Sequence, residues 1–445
     1  MKGLPSTILL LTACAALGAG CASGTIQTNP GNGNNNTGNG DQSTPASFAG
    51  ATVNLNAFSL GGDFPPDLQI PDVAGMDSTA FVVNFTPAGV VPIDLEANPL
   101  KVSTKFATFD ASAIPEAAFP NHVEILSPTQ AFLLGGSGVV YYNPTSGAVF
   151  QVLDLTTPVN LTQALPLSGP CDYDFDTVPD TQVGPGSFSP NFAADLTVIG
   201  NRLFVSMSNA CFDASFSSFY VQGLVRVFDI NNTPPYLTPA AKPFIVLNGF
   251  NATGLSLANG KLIATSTGDT KLVSGNTVPE TDSILDEIDP NSLTVTRSLN
   301  LGKVAANFQP LAVTEDGKSG FIGSSAFSEV YEIDLGALTA LRGAANPIEI
   351  SGAANDFITD QDIAFGGELL FVSSFNRSAV NAVDLTTSDR KVLGNALDFA
   401  FPSSPGITGA GPMALRPGQP AADFSGPDLF VLTSSPGTIS TATTY

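Results

Sequence analysis

Positive charge is scarce in this 445-residue chain: 16 Lys and Arg stand against 39 Asp and Glu, for a formal net charge of −23. No Lys or Arg lies between Gly3 and Leu100. A polyanion of this kind cannot neutralise phosphates, which excludes nucleic acid as a partner. His122 is the single histidine, so no His cluster exists to ligate zinc and a His-dependent triad is not expected. Tryptophan is absent, cysteine occurs four times, and only 12% of residues are charged. Long stretches of helix formers are missing too, because 43 Gly and 34 Pro interrupt them. What the chain does have is apolar material, 43% of residues with 31 Phe among them, enough for a large core.

Residues 1–20 read as an export leader. Lys2 supplies the positive start, Ile8 to Leu11 and Ala13 to Leu17 supply the apolar stretch, and no later run is long enough to span a membrane. Gly18-Ala19-Gly20-Cys21 resembles the lipobox of bacterial lipoproteins. That resemblance implies that Cys21 is diacylated and becomes the mature N-terminus. Leu11-Thr12-Ala13-Cys14 is a competing match, with the usual Leu three residues before Cys14 but an apolar start to the mature chain. Ala22, rather than Asp, follows Cys21, which by the same resemblance implies a lipid-anchored outer-membrane location, periplasmic or surface-facing. Two or three acyl chains anchor firmly where one does not.

Residues 21–48 follow as a Gly/Asn-rich linker of low complexity. Such a composition cannot bury enough surface to offset its ordering entropy, so disorder is expected. As flexible coil its reach is on the order of 30 Å, suited to holding a folded body off a membrane.

Residues 49–445 carry one recurring pattern. A short apolar strand meets a tight turn, and a second strand then opens on an aromatic or aliphatic residue and closes on small polar ones. The turns are Gly200-Asn201, Asn259-Gly260, Asp316-Gly317 and Gly366-Gly367, residues that supply the positive φ of hairpin loops. A third strand ends on an acid or amide, as in Val227-Phe228-Asp229, Glu287-Ile288-Asp289 and Tyr331-Glu332-Ile333-Asp334. Equivalent second-strand positions are Phe81, Phe132, Phe204, Ile263, Phe321, Phe371 and Phe430, spaced by 51, 72, 59, 58, 50 and 59 residues. Units of about four strands at that period predict an all-β fold, a seven-bladed β-propeller of four-stranded antiparallel blades. The segment Thr52-Val53-Asn54-Leu55 is expected to complete the last blade and so remove an open sheet edge.

Pro310 to Lys318, Gly320-Phe321-Ile322 and Val330 to Asp334 together resemble a unit of the YVTN-repeat propellers, and Leu370 to Arg377 with Val380 to Asp384 is similar. The resemblance implies the propeller fold and an association with bacterial surface proteins. It transfers no catalytic residue, since the matched positions are turns and strands.

Two long departures from the repeat lie in adjacent units, residues 166–191 with Cys171 and 208–220 with Cys211. In an oxidising compartment a Cys171–Cys211 disulfide is expected. Beside Cys171, the carboxylates Asp172, Asp174, Asp176 and Asp180 alternate in a way that can wrap oxygens around Ca2+. The run is similar to the Asp-rich calcium repeats of thrombospondin-type segments, but Thr177 and Val183 replace the expected turn glycine and final acid. A solvated acidic loop explains the same residues equally well. Gly317-Lys318-Ser319 reads as a turn rather than a phosphate-binding loop, acid pairs such as Asp282/Asp286 and Asp360/Asp362 read as caps, and His122 reads as a structural turn residue.

Two functions are compatible with this reading. The first is a monomeric, membrane-anchored binding or scaffold protein for a protein or glycan ligand, with no catalytic residue. The alternative is a metal-dependent, lactonase-like hydrolase with its site in the propeller channel, which requires convergent Glu, Asn and Asp on innermost strands that here run Val-, Leu- and Ser/Thr-rich.

Overall fold

The computed structural model describes residues 53–54, 65–173, 178–213, 217–274, 276–351, 356–364, 367–377, 379–393, 397–398, 409–417, 429–433 and 438–442. The leader, Cys14, Cys21 and the linker lie outside the described residues. No helix among the described residues is long and apolar enough to cross a membrane.

Alternation of apolar and polar residues between turn dipeptides produces antiparallel sheets, each numbered here as a blade. Blade 1 runs over residues 67–110 and blade 2 over 122–154. Blades 3, 4, 5 and 6 occupy residues 193–250, 252–302, 312–349 and 358–398. The expected turns form as the residue types dictate: Gly200, Asn259, Gly260, Gly317 and Gly367 all have positive φ.

The innermost strands touch in sequence around an axis. Asp67–Gln69 contacts His122–Ser127, then follow Ala193–Ile199, Ala252–Ala258, Ala312–Val313, Ile358–Ile363 and Ala410–Leu415, which returns to Asp67–Gln69. The fold is therefore a closed β-propeller. Its core lies between successive sheets, where the marker residues Phe81, Phe132, Phe204, Ile263, Phe321, Phe371 and Phe430 are all 0–1% exposed.

The expectation of seven equivalent four-stranded blades is corrected. Six blades, not seven, are wound from a single continuous segment, and two of those six have five strands. In blade 1, Lys101–Val102 and Phe109–Asp110 both pair with Gly89–Asp94; in blade 5, Thr339–Arg342 and Ile348–Glu349 both pair with Glu329–Asp334. The cause is local: the outer strand breaks, at Gly343 to Pro347 in blade 5, and resumes pairing beyond the break. The remaining sheet is composite. Ala410–Leu415, Leu429–Thr433 and Thr438–Ala442 are joined by Val53–Asn54, in the register Val53↔Ile439 and Asn54↔Thr438. The strand from the other end of the chain occupies the outermost place and ties the ring shut.

Inner strands also bond from blade to blade. Asp67 accepts from the backbone N–H of Val123 (2.9 Å) and Gln69 from Ile125 (2.7 Å). Asp195 accepts from Leu255 (2.7 Å), Ser256 from Leu311 (2.7 Å), and Asp360 from Met413 (2.7 Å). Short polar side chains thus satisfy backbone donors that face a neighbouring blade instead of a sheet partner.

Between blades 2 and 3 the chain inserts two hairpins, Val159–Leu161 with Gly186–Phe188 and Leu165–Cys171 with Asp180–Val183. Blade 3 inserts a third, Ala210–Phe212 with Ser218–Tyr220, and blade 4 a fourth, Thr270–Val273 with Asn276–Pro279. Cys171 and Cys211 are disulfide-bonded, with their Cα atoms 6.2 Å apart. Ser168 laces the same insert to its neighbours, donating to Asp269 (2.9 Å) and accepting from the Tyr220 N–H (3.0 Å).

Candidate functional site

The segments that lead into the innermost strands of blades 2 and 3 frame a cavity of about 420 Å3 at one mouth of the axis. Its walls are mostly apolar, with Phe85, Phe119, Phe192 and Phe308 each half-buried. Phe119 and Phe192 adopt left-handed backbone conformations, at φ 56° and 54°. A bulky residue there costs about 1–2 kcal/mol that glycine would avoid. Eight other described non-glycine residues, Leu293, Ala305 and Leu338 among them, share a positive φ, so this strain is not confined to the cavity wall.

Polar groups converge in this apolar setting. His122 opens the innermost strand of blade 2, Asp67 lies on that of blade 1 and Asp195 on that of blade 3. His122 Nδ1 lies 3.1 Å from Asp67 Oδ2. Its Nε2 stands 3.6 Å from Asp195 Oδ1 and 3.7 Å from Glu124 Oε2, beyond hydrogen-bond reach of both. Nε2 is buried and has no hydrogen-bond partner. His122, Asp195 and Asn121 all line the cavity.

Burial of the imidazole pulls its pKa down, but the charges of Asp67 and Asp195 and the bond to Asp67 outweigh it and hold His122 well above its ordinary value. That direction favours the imidazolium, in which both nitrogens are donors. Burial pushes Asp195 up to about 7 against the opposing pull of His122. The cluster thus offers an imidazole N–H that makes no hydrogen bond within 3.5 Å but is flanked at ion-pair distance by the Asp195 and Glu124 carboxylates. Asp195 Oδ2 accepts from Leu255 and Oδ1 from Leu196.

This placement corrects the reading of His122 as a turn residue. It also corrects the view that the inner strands carry only apolar and hydroxyl side chains. The register held a signal. The residue opposite each marker is Gln69, Glu124 and Asp362 in blades 1, 2 and 6. Two positions earlier stand Asp67, His122 and Asp360, with Asp195 equivalent in blade 3. Aligned in this way, His122 replaces an acid that three other blades keep.

Other sequence candidates do not join this cluster. Asp174 and Asp176 lie outside the described residues; Asp180 accepts from the Tyr173 N–H (2.9 Å). Among the described residues no group of three or more His, Cys, Asp or Glu is placed to hold a metal ion. Asp286 is buried and accepts from Asn248 and Ser298, and Asp282 accepts from Asn300. Asp360 and Asp362 are held above the usual carboxylate range by burial, Asp362 at about 6. Lys318 sits in its hairpin turn, paired with Asp316 (2.6 Å).

No family model matches the chain and no curated protein matches it. Solved structures do. The β-propeller domain of Cps50 (Swd1) from Myceliophteria thermophila matches at 10% identity and TM-score 0.54, covering 86% of this chain and 98% of that one. Kluyveromyces lactis Hsv2 matches at 12% identity and TM-score 0.47, covering 84% and 90%. A functionally unknown protein from Desulfotomaculum acetoxidans matches at 13% identity and TM-score 0.45, covering 76% and 87%. At these identities the likeness to the Swd1 domain shows one thing about this chain: the β-propeller fold.

Proposed function

We propose that this protein is a binding propeller of the cell envelope, tethered by an acylated Cys21 (or Cys14), that takes an acceptor-bearing ligand with an apolar body into the axial cavity at His122. One observation carries the reading: a buried imidazole Nε2 that makes no hydrogen bond, held between carboxylates at the mouth of a largely apolar, Phe-lined cavity. Buried donors of this kind are satisfied in nearly all proteins, by protein, water or ligand. Small-molecule sites combine such apolar walls with a few fixed polar groups. The leader, the small residues before Cys21 and the polar linker support the tether.

The lone histidine makes the test clean. In protein labelled only with 15N-histidine, the imidazole nitrogens give one pair of resonances. Compounds that raise the melting temperature, selected from envelope extracts and a small-molecule library, are expected to shift the Nε2 signal and to lose their effect in His122→Gln. Stabilising compounds that leave that signal unmoved would sink the axial site. Mass spectrometry of the mature chain checks the tether, which fails if neither cysteine carries acyl groups.

A further inference from the structure

Far from the axis, where the outer strands of blades 2 and 3 meet, a second cavity of about 210 Å3 opens to solvent. Three aromatic rings line it. Tyr141 and Phe150 lie 4.9 Å apart between centroids, Tyr141 and Tyr236 5.8 Å, and Phe150 and Tyr236 5.6 Å, every pair tilted or edge-on. Phe150 is 37% exposed although it is a large apolar side chain on a strand.

The polar part of the lining is made of three side-chain amides and the hydroxyls of Thr129, Tyr141 and Tyr236. Gln130 Nε2 donates to the Tyr141 hydroxyl (2.9 Å), which leaves its carbonyl oxygen and a second N–H. Asn231 Nδ2 donates to the Pro235 carbonyl (2.9 Å) and to Thr238 (3.1 Å), so its oxygen is what it can offer. Asn232 stands exposed at the rim. No charged residue lines the cavity.

The two sides are also clamped together. Gln151 Nε2 donates to the Leu237 carbonyl and Gln151 Oε1 accepts from the Leu237 N–H, both at 2.9 Å. Gln151 adjoins Phe150 and Leu237 adjoins Tyr236, so one two-bond link between blades fixes the separation of the two rings. Such preorganisation lowers the cost of binding.

We propose that this cavity is a carbohydrate site that seats a neutral pyranose. Phe150 and Tyr236, backed by the buried Tyr141, present the ring surface that a sugar's C–H face can pack on, and the amides of Gln130, Asn231 and Asn232 match its hydroxyls. A phosphate or carboxylate would find no cation here. A quaternary ammonium would find neither a gap between the rings nor an acidic partner. The site is separate from the axial cavity, and its proposal does not rest on that one.

A glycan array with the intact protein, followed by titration of the best mono- and disaccharides by saturation-transfer NMR, tests it. Binding is expected in the wild type and to weaken about tenfold in Tyr236→Ala and in Phe150→Ala, the loss of about one stacking contact. Asn232→Ala, on an exposed loop, is expected to weaken it a few-fold with an unchanged melting temperature. The proposal is overturned if no sugar binds, or if the sugars that bind do so equally in all three variants. It is equally overturned if binding moves the His122 imidazole resonance, or if a peptide and no sugar occupies the rings.

Discussion

Buried acids occur on the innermost strands at two places, and the two are chemically unlike. In blade 6, Asp360 accepts from the backbone N–H groups of Met413 and Gln361, and Asp362 from those of Leu415 and Ile363. No cation is among the groups that set their pKa values, and both are held above the usual range by burial. Across the axis, Asp67 and Asp195 bond backbone in the same way, but His122 stands between them at the mouth of an apolar cavity. The first arrangement is glue for the ring. The second uses the same glue and adds an imidazole whose Nε2 makes no hydrogen bond although carboxylates flank it. The same side of the molecule carries the disulfide and the laced hairpins.

The largest expected effect comes from breaking that reinforcement. The disulfide closes a loop of 40 residues, worth about 4 kcal/mol in the chain-entropy account. Reduction, or Cys171→Ser with Cys211→Ser, is expected to lower the urea midpoint accordingly, while the mature chain still folds to a β-rich circular-dichroism spectrum. An unchanged midpoint would show that the two sides of the ring are equally secure without it.

Next is the cation itself. His122→Ala leaves Asp67, Glu124 and Asp195 facing one another without it. A loss of about 1–3 kcal/mol is expected, fully present at pH 5 and smaller at pH 8, because the stability a raised His122 contributes is lost as pH climbs through its folded value. The matching change in blade 6, Asp360→Asn, removes the like charge facing Asp362 but leaves one of the two backbone donors, Met413 or Gln361, facing an amide NH2, so a smaller loss than that of His122→Ala is expected at pH 5. Denaturant titrations of the two variants at both pH values decide whether the two acid clusters differ as described; losses of equal size would erase the distinction.

The smallest effect is the shape of the pH profile. Asp195, Asp269 and Asp362 have folded pKa values raised to about 7, 6 and 6, in each case first by burial. The native state therefore binds more protons than the unfolded state between about pH 4 and 7, and stability falls as pH rises through that window. His122, also raised, contributes stability that is complete below about pH 6.5 and is lost as pH climbs through its folded value. Both terms have the same sign, as does relief of the −23 net charge on acidification. A melting temperature higher at pH 5 than at pH 8 is expected, with the difference reduced in Asp195→Asn. A profile rising toward alkaline pH would contradict it.

Most of the architecture was legible beforehand because it is written in local chemistry. Turn dipeptides with positive φ, alternating apolar strands and one aromatic per unit mark the blades wherever they occur, and Val53–Asn54 was recognisable as a strand without a neighbour of its own. The equal count of strands was not legible. Whether an outer strand runs through or breaks and resumes depends on pairing with a partner across the sheet, as at Arg342 and Ile348. The site was legible only in part. His122 and Asp67 are 55 positions apart, and no local pattern links them.

By itself, then, the amino-acid order determined the repeating sheets and the net negative charge, since each follows from composition or from neighbours a few residues away. Closure of the ring decided the rest. It brought one strand start from each of three blades to a common mouth, and so placed a residue that looks like a turn histidine between buried carboxylates at a largely apolar cavity. That outcome depends on three-dimensional contact between segments far apart in the chain, where hydrogen-bond distance and burial, rather than residue type, set what a side chain can do.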